Sequence, residues 1–399
     1  MSGAMSWPFL RLYLLALLYF SANSILNVII PLRGESAGAN STTIGLIMGA
    51  YMMASMCFRP WAGAIVEKYG PIKVLRFILI MNGCALILYT VTGLEGYLAA
   101  RMLQGVCTAF FSMALQIGII DALPEKERSQ GISFYSLFTY IPGMIGPLLA
   151  LGIWQSGTMD AFSITMVAIA VFTGLFGYTV KLDQSANVAA ANGDRSEHRM
   201  STLSSLSQLV RNRDLFRCSV LMVAASIVFG AITAFMPLYA AQLKSGNAGV
   251  YLMLQAGVVV FARYALSKRI PSDGRWHSLF IMGTMCLIAV AALCVSASLW
   301  WGAFPFYAGA LLMGLGQALL YPTLTTYLSF VLPQTNRNVL IGLFIAMTDL
   351  GVSLGGIIMG PVADVSSYSF MYMVCAVLAA ATVVIAFRNY HTNFEGGTL

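Results

Sequence analysis

The chain has 399 residues, of which 59% are hydrophobic and 9% charged, against about 25% charged in a soluble domain. Apolar runs long enough to cross a bilayer recur from end to end, which excludes a soluble domain carrying one anchor. The net charge of +7 is not a nucleic-acid footprint, because Lys and Arg gather in the links between apolar runs. Spans are predicted near 8–32, 42–66, 74–93, 97–121, 130–153, 161–180, 215–240, 246–267, 277–298, 302–330, 338–360 and 368–387. The first is too long for a signal-peptide core and is read as a true span. Seven Cys lie scattered without metal or disulfide spacing and read as small packing residues.

The links at 67–73, 122–129, 182–214, 268–276 and 331–337 hold most of the bases. The alternate links hold Glu35, Glu95, Asp160 and Asp364, with Arg33 and Lys244 as their only bases. The positive-inside rule therefore places both termini in the cytoplasm. The link from Asp183 to Asp214 is polar and rich in Ser, Asn and Ala, and reads as a tether with a basic, partly helical end at Arg211, Arg213 and Arg217.

A repeat organises the chain. Leu123-Pro124 and Arg128 match Leu332-Pro333 and Arg337 at an offset of 209, as do Gly105 with Gly314, Thr139 with Thr348 and Gly146 with Gly355. Earlier in each half the offset is slightly smaller: Pro31-Leu32 matches Pro237-Leu238, and Arg59 matches Arg263. The expected fold is all-α, with twelve transmembrane helices in two six-helix pseudo-symmetric bundles. The bundles are placed at 1–181 and 215–399 and joined by a cytoplasmic linker at 182–214. Such two-bundle transporters bind substrate between the halves near the midplane.

Four charges, Arg59, Arg101, Arg263 and Asp349, sit inside apolar runs. Each costs roughly 2.5–3.5 kcal/mol at the centre of a helix on insertion scales, and persists where it lines a cavity or meets a partner. Three are positive, which points to an anionic or zwitterionic solute. Arg101, Gln104 and Thr108 share one helix face, and Asn23 and Asn27 lie one turn apart in the first span. Gln255 shares a face with Arg263, and Gln317 shares one with Tyr321 and Thr325. With Arg33 these are the candidate substrate-binding residues, since guanidinium pairs bidentately with carboxylates. Arg59 and Arg263 either bind substrate or close a gate, and the sequence leaves both open. Asp349 is the only acid deep in a span, either a proton carrier or the partner of an arginine. Asp121 and Asp364, at span ends, read as structural. No metal-spaced Cys/His set, catalytic triad or phosphate loop lies at membrane depth, so no enzyme, cofactor or metal is expected.

Gly63-Ala-Ile-Val-Glu67-Lys68-Tyr69-Gly70-Pro71-Ile72-Lys73 resembles the loop between helices 2 and 3 of the major facilitator superfamily, with Glu67 where the family favours Asp. The resemblance implies a gating latch made by Gly63, Glu67, Lys68, Gly70 and Lys73. Arg101-Met-Leu-Gln104-Gly105 resembles a second family signature, whose Arg serves coupling or substrate binding. Pro142-Gly143-Met-Ile-Gly146-Pro147 resembles its exporter signature, with Gly146 and Pro147 as pivots. Longer strings, among them Phe58-Arg59-Pro60-Trp61-Ala-Gly63, Gln104-Gly-Val-Cys107-Thr-Ala-Phe-Phe-Ser112 and Tyr321-Pro322-Thr-Leu-Thr-Thr326, resemble exporters of opine metallophores of the staphylopine type. That likeness implies export of a small carboxylate-rich metallophore, metal-free, across a bacterial inner membrane and coupled to protons. The alternative is a proton-coupled multidrug or small-metabolite efflux pump of the same fold.

Overall fold

The computed structural model describes residue 3 and residues 5–180, 211–266, 271, 273–334 and 337–387. Twelve helices among these are long and apolar enough to cross a membrane. The first six are α1 (Trp7–Ser36), α2 (Ser41–Tyr69), α3 (Pro71–Val91), α4 (Leu94–Ala122), α5 (Glu125–Gln155) and α6 (Met159–Tyr178). The second six are α7 (Arg213–Gln242), α8 (Ala248–Ala265), α9 (Ser278–Trp301), α10 (Ala303–Val331), α11 (Arg337–Val365) and α12 (Tyr368–Ala386). The predicted linker falls mostly outside the described residues.

Helix ends differ from the hydropathy spans where capping chemistry overrides hydropathy. Helix α3 starts at Pro71, because proline suits the first helical turn. Helix α8 starts at Ala248, because the Asn247 side chain accepts a hydrogen bond from the Val250 amide at 3.0 Å. Helix α5 takes in the polar residues 125–129, whose Glu, Lys and Arg are good helix formers that a hydropathy window leaves out.

The repeat seen in the sequence reappears as repeated packing. A Cβ on Gly105 of α4 would strike the Tyr51 carbonyl of α2. One on Gly314 of α10 would lie 2.5 Å from the Gln255 carbonyl of α8. Gly105 and Gly314 are repeat mates, and Tyr51 and Gln255 are separated like Arg59 and Arg263. Likewise Gly146 of α5 abuts Ser24 of α1, while its mate Gly355 of α11 abuts Gly230 of α7. Small residues let these helices approach backbone to backbone, which in lipid replaces hydrophobic burial as the cohesive force.

The halves meet through α2 against α11 and α5 against α8. The α2–α11 contact is closest toward the α1–α2 loop. There Gly45 packs on the backbone of Gly356, and the Ser353 hydroxyl donates to the Gly49 carbonyl at 2.9 Å. The Asp364 carboxylate accepts from the Ser41 and Thr42 amides at 2.7 and 2.8 Å and from the Thr42 hydroxyl at 2.6 Å. These amides are otherwise unpaired donors of the first turn of α2, and the carboxylate also complements the helix dipole. Asp364 is thus structural, as its position at a span end implies, and its partners belong to the other half.

Candidate functional site

Arg101 is completely buried in α4. Its Nη1 donates to Asn23 Oδ1 at 2.6 Å and its Nη2 to Asn27 Oδ1 at 2.7 Å. Weaker contacts run to Gln104 Oε1 at 3.5 Å and Met48 Sδ at 3.4 Å. The guanidinium also lies 5.3 Å from the centre of the Tyr51 ring. No carboxylate pairs with it among the described residues, and its Nε has no partner. A charge so placed is normally paired, since the penalty for burying an ion is several kcal/mol.

A hydroxyl network fixes this cluster from behind. Tyr89 donates to Gln104 Oε1 at 3.0 Å. The Tyr51 and Tyr19 hydroxyls sit 2.9 and 3.0 Å from Thr108 Oγ1, which itself donates to the Gln104 carbonyl. The helical spacing of Arg101, Gln104 and Thr108 therefore delivers all three to one site, with Asn23 and Asn27 facing them from α1. A cavity of about 30 Å³ opens beside the cluster, lined by Asn23, Asn27, Met48 and Tyr51 of the first half and by Gly230 and Thr233 of the second. The arginine seat thus lies at the junction of the halves.

Arg59 and Asp349 form a second centre. Arg59 Nε of α2 lies 2.5 Å from Asp349 Oδ2 of α11, an ion pair across the halves with both side chains largely shielded. Arg263 of α8 also reaches across, laying its guanidinium 4.6 Å from the centre of the Tyr140 ring on α5. Gln255 Nε2 donates to Gln317 Oε1 at 3.2 Å, leaving Gln255 Oε1 buried without a partner. Tyr321 stacks near Phe344 and lies within electrostatic reach of Arg59, Arg263 and Tyr140.

The other candidates sit apart from these centres. Arg33 hydrogen-bonds Tyr97 and covers its ring at 5.0 Å, near the α1–α2 loop. Gly70 ends α2 with φ +85°, a left-handed conformation that glycine adopts freely. Glu67, Lys68 and Lys73 are exposed, and no ion pair joins them to the second half among the described residues. Gly63 sits beside Met113 of α4. Gly146 is packed on α1, and the Pro147 carbonyl lies against Gly249 of α8, so this segment of α5 sits between its own bundle and the other.

Residues 12–307 and 266–394 match the Major Facilitator Superfamily. The chain belongs to the major facilitator superfamily. This superfamily member is 52% identical over 399 residues to the staphylopine export protein of Staphylococcus aureus (strain Mu50 / ATCC 700699), with 100% of each chain covered. It is 22% identical over 364 residues to an uncharacterized MFS-type transporter of Burkholderia mallei (strain SAVP1), covering 88% of this chain and 84% of that one. Among solved structures, it aligns with a bacterial homolog of the human lysosomal transporter Spinster at a TM-score of 0.73 and 12% identity, over 97% and 95% of the two chains. The nucleoside transporter NupG aligns at TM-scores of 0.71–0.72 and 14–16% identity, over 95% of this chain and 98–99% of that one. These two likenesses establish the fold. Family membership makes this superfamily member a transporter, not an enzyme.

Sequence reasoning missed Met48, Tyr51, Thr233 and Tyr140 in this superfamily member. Met48 and Thr233 carry no charge or motif that singles them out. Tyr51 and Tyr140 carried a usable signal, since they are the repeat mates of Gln255 and Asp349.

Proposed function

We propose that this chain exports staphylopine, or an opine metallophore of the same carboxylate-rich kind, from the cytoplasm of a bacterium by alternating access in exchange for protons. The observation that carries the reading is Arg101, a buried cation held by two asparagine oxygens with no acid beside it among the described residues. A substrate carboxylate is the group that completes such a site, since it supplies the negative charge the guanidinium lacks and an acceptor for its unpartnered Nε–H. Identity of 52% over the full length to a staphylopine export protein supports the substrate class.

In this reading both termini and the linker are cytoplasmic, and residues 1–181 and 215–399 rock as two bodies. The α1–α2 loop end is then the outer end. The Gly45–Gly356 contact and the Asp364 clamp hold it shut, while the latch residues Glu67, Lys68 and Lys73 make no ion pair with the second half among the described residues. A 30 Å³ cavity holds no more than a few waters, whereas small-molecule sites span roughly 300–1,000 Å³. Substrate therefore completes the Arg101 seat only as the halves part around it. Asp349 is the proton carrier: protonation removes its charge and releases Arg59, loosening the α2–α11 contact on the inner side. Tyr51 sits between the two centres, against Arg101 and within electrostatic reach of Asp349 and Arg59.

Cells lacking the gene are the test. Deletion is expected to raise the cytosolic pool of a carboxylate-rich opine several-fold and deplete it from the medium, with both reversed on complementation. Unchanged opine pools together with new sensitivity to lipophilic cations would replace this reading with multidrug efflux.

A further inference from the structure

Two cross-half contacts, described separately above, are one contact built twice. Arg59 and Arg263 are repeat mates on α2 and α8. Tyr140 and Asp349 are repeat mates on α5 and α11, at the same offset of 209 that links Gly146 with Gly355. The first arginine faces a carboxylate and its charge is neutralised at 2.5 Å. The second faces a tyrosine ring at 4.6 Å. An aromatic face attracts the plane of a guanidinium but accepts none of its five N–H donors, which point outward along the edge. Among the described residues Arg263 makes no hydrogen bond or ion pair, and its Nε is buried without a partner. The ring is itself held against Val259, Ala262 and Ala318, so it orients the arginine without neutralising it.

We propose that Arg263, seated on Tyr140, is a second carboxylate-binding site that stays open because position 140 carries a ring where its repeat mate carries an acid. The inference rests on the export function proposed above and assigns the two mates different roles: Arg59 is the latch, and Arg263 holds substrate. Arg101 and Arg263 lie in different halves, so a ligand with two or more carboxylates has a basic partner on each half, while a monocarboxylate engages only one. Gln255, on the same face of α8 about 12 Å along the axis at 1.5 Å per residue, offers a buried acceptor without a partner to a further donor of an extended ligand. Specificity for a polycarboxylate then follows from the asymmetry of the repeat.

The asymmetry is removed by Tyr140→Asp, which gives Arg263 the same partner that Arg59 has. The readout is the Kd of metal-free staphylopine for the purified full-length chain in lipid nanodiscs. Charge-assisted hydrogen bonds are worth about 1.5–3 kcal/mol, so Kd is expected to rise about 10- to 150-fold in Tyr140→Asp and in Arg263→Gln. The double variant should be no worse than either alone, and Tyr140→Phe, which keeps the ring, should stay within about threefold of wild type. A Kd in Tyr140→Asp equal to wild type, or a loss in Tyr140→Phe as large as in Tyr140→Asp, would overturn the second site. If Tyr140→Asp fails to insert, Arg263→Gln decides alone, and an unchanged Kd there rejects the proposal. Absence of staphylopine binding by the wild-type chain would reject the export function and this site together.

Discussion

Replacing Arg101 with lysine is expected to cut staphylopine export to below about a tenth of wild type, although the positive charge remains. The Arg101 guanidinium spans Asn23 and Asn27 with two separate nitrogens while stacking near Tyr51. A lysine ammonium is a point charge on a flexible stem and cannot hold both amides and present a fork to a carboxylate. Each charge-assisted hydrogen bond lost is worth about 1.5–3 kcal/mol, and each 1.4 kcal/mol is about tenfold in affinity. Arg101→Ala should do no better, because it leaves the two asparagines and Gln104 facing a void. Export of labelled substrate from cells with matched amounts of inserted protein checks both variants. Wild-type export by Arg101→Lys would show that only charge is needed there.

The second large effect is expected at Asp349. Asp349→Asn keeps the shape of the side chain but removes the charge that neutralises Arg59 and, in the proposed cycle, the group that takes up the proton. Breaking a buried ion pair by losing one partner destabilises by about 3–5 kcal/mol, because the other charge is left uncompensated. Transport driven by a pH gradient should fall more than tenfold, and the residual rate should no longer respond to the gradient. Staphylopine binding should persist, because Asp349 is not part of the Arg101 cluster. The exchange Arg59→Asp with Asp349→Arg should recover thermal stability while failing to recover proton-driven transport. Full gradient-driven transport in Asp349→Asn would remove this residue from the proton path.

Much of this arrangement was legible in the sequence because it rests on local periodicity. Arg101, Gln104 and Thr108 recur at helical spacing, so a single helix face delivers them together. Asn23 and Asn27 do the same on α1. The twelve spans follow from hydropathy, and the repeat from matched residues such as Gly105 with Gly314. Pairings across the halves were not legible in the same way. Nothing local to Arg59 or to Asp349 indicates that α2 and α11 place them 2.5 Å apart over 290 residues of chain. The arginine partner of Asp349 is therefore visible only once the helices are packed. The Asp364 clamp was invisible for a similar reason, since its acceptors serve backbone amides of Ser41 and Thr42 and backbone leaves no residue signature. Tyr140 is different. Its role follows from applying the repeat to Asp349, a step that uses only residue numbers but acquires meaning once Arg59 and Asp349 are seen to touch.

The repeat also explains why the two halves need not be chemically equal. Glycine mates such as Gly146 and Gly355 preserve close helix packing in both bundles, which any rocking motion requires. Chemistry-bearing mates diverge: Tyr51 against Gln255, and Tyr140 against Asp349. One half thus supplies the buried Arg101 beside Tyr51, and the other supplies Asp349, the acid paired with Arg59.

The most direct measurement is uptake of metal-free staphylopine into inverted membrane vesicles holding the wild-type chain, with an inward-acid proton gradient and a lipophilic cation as competitor. Accumulation that collapses with the gradient and ignores the cation is the expected result. No accumulation of staphylopine, with gradient-driven uptake of the cation instead, would contradict the assignment of this transporter to a carboxylate-rich metallophore.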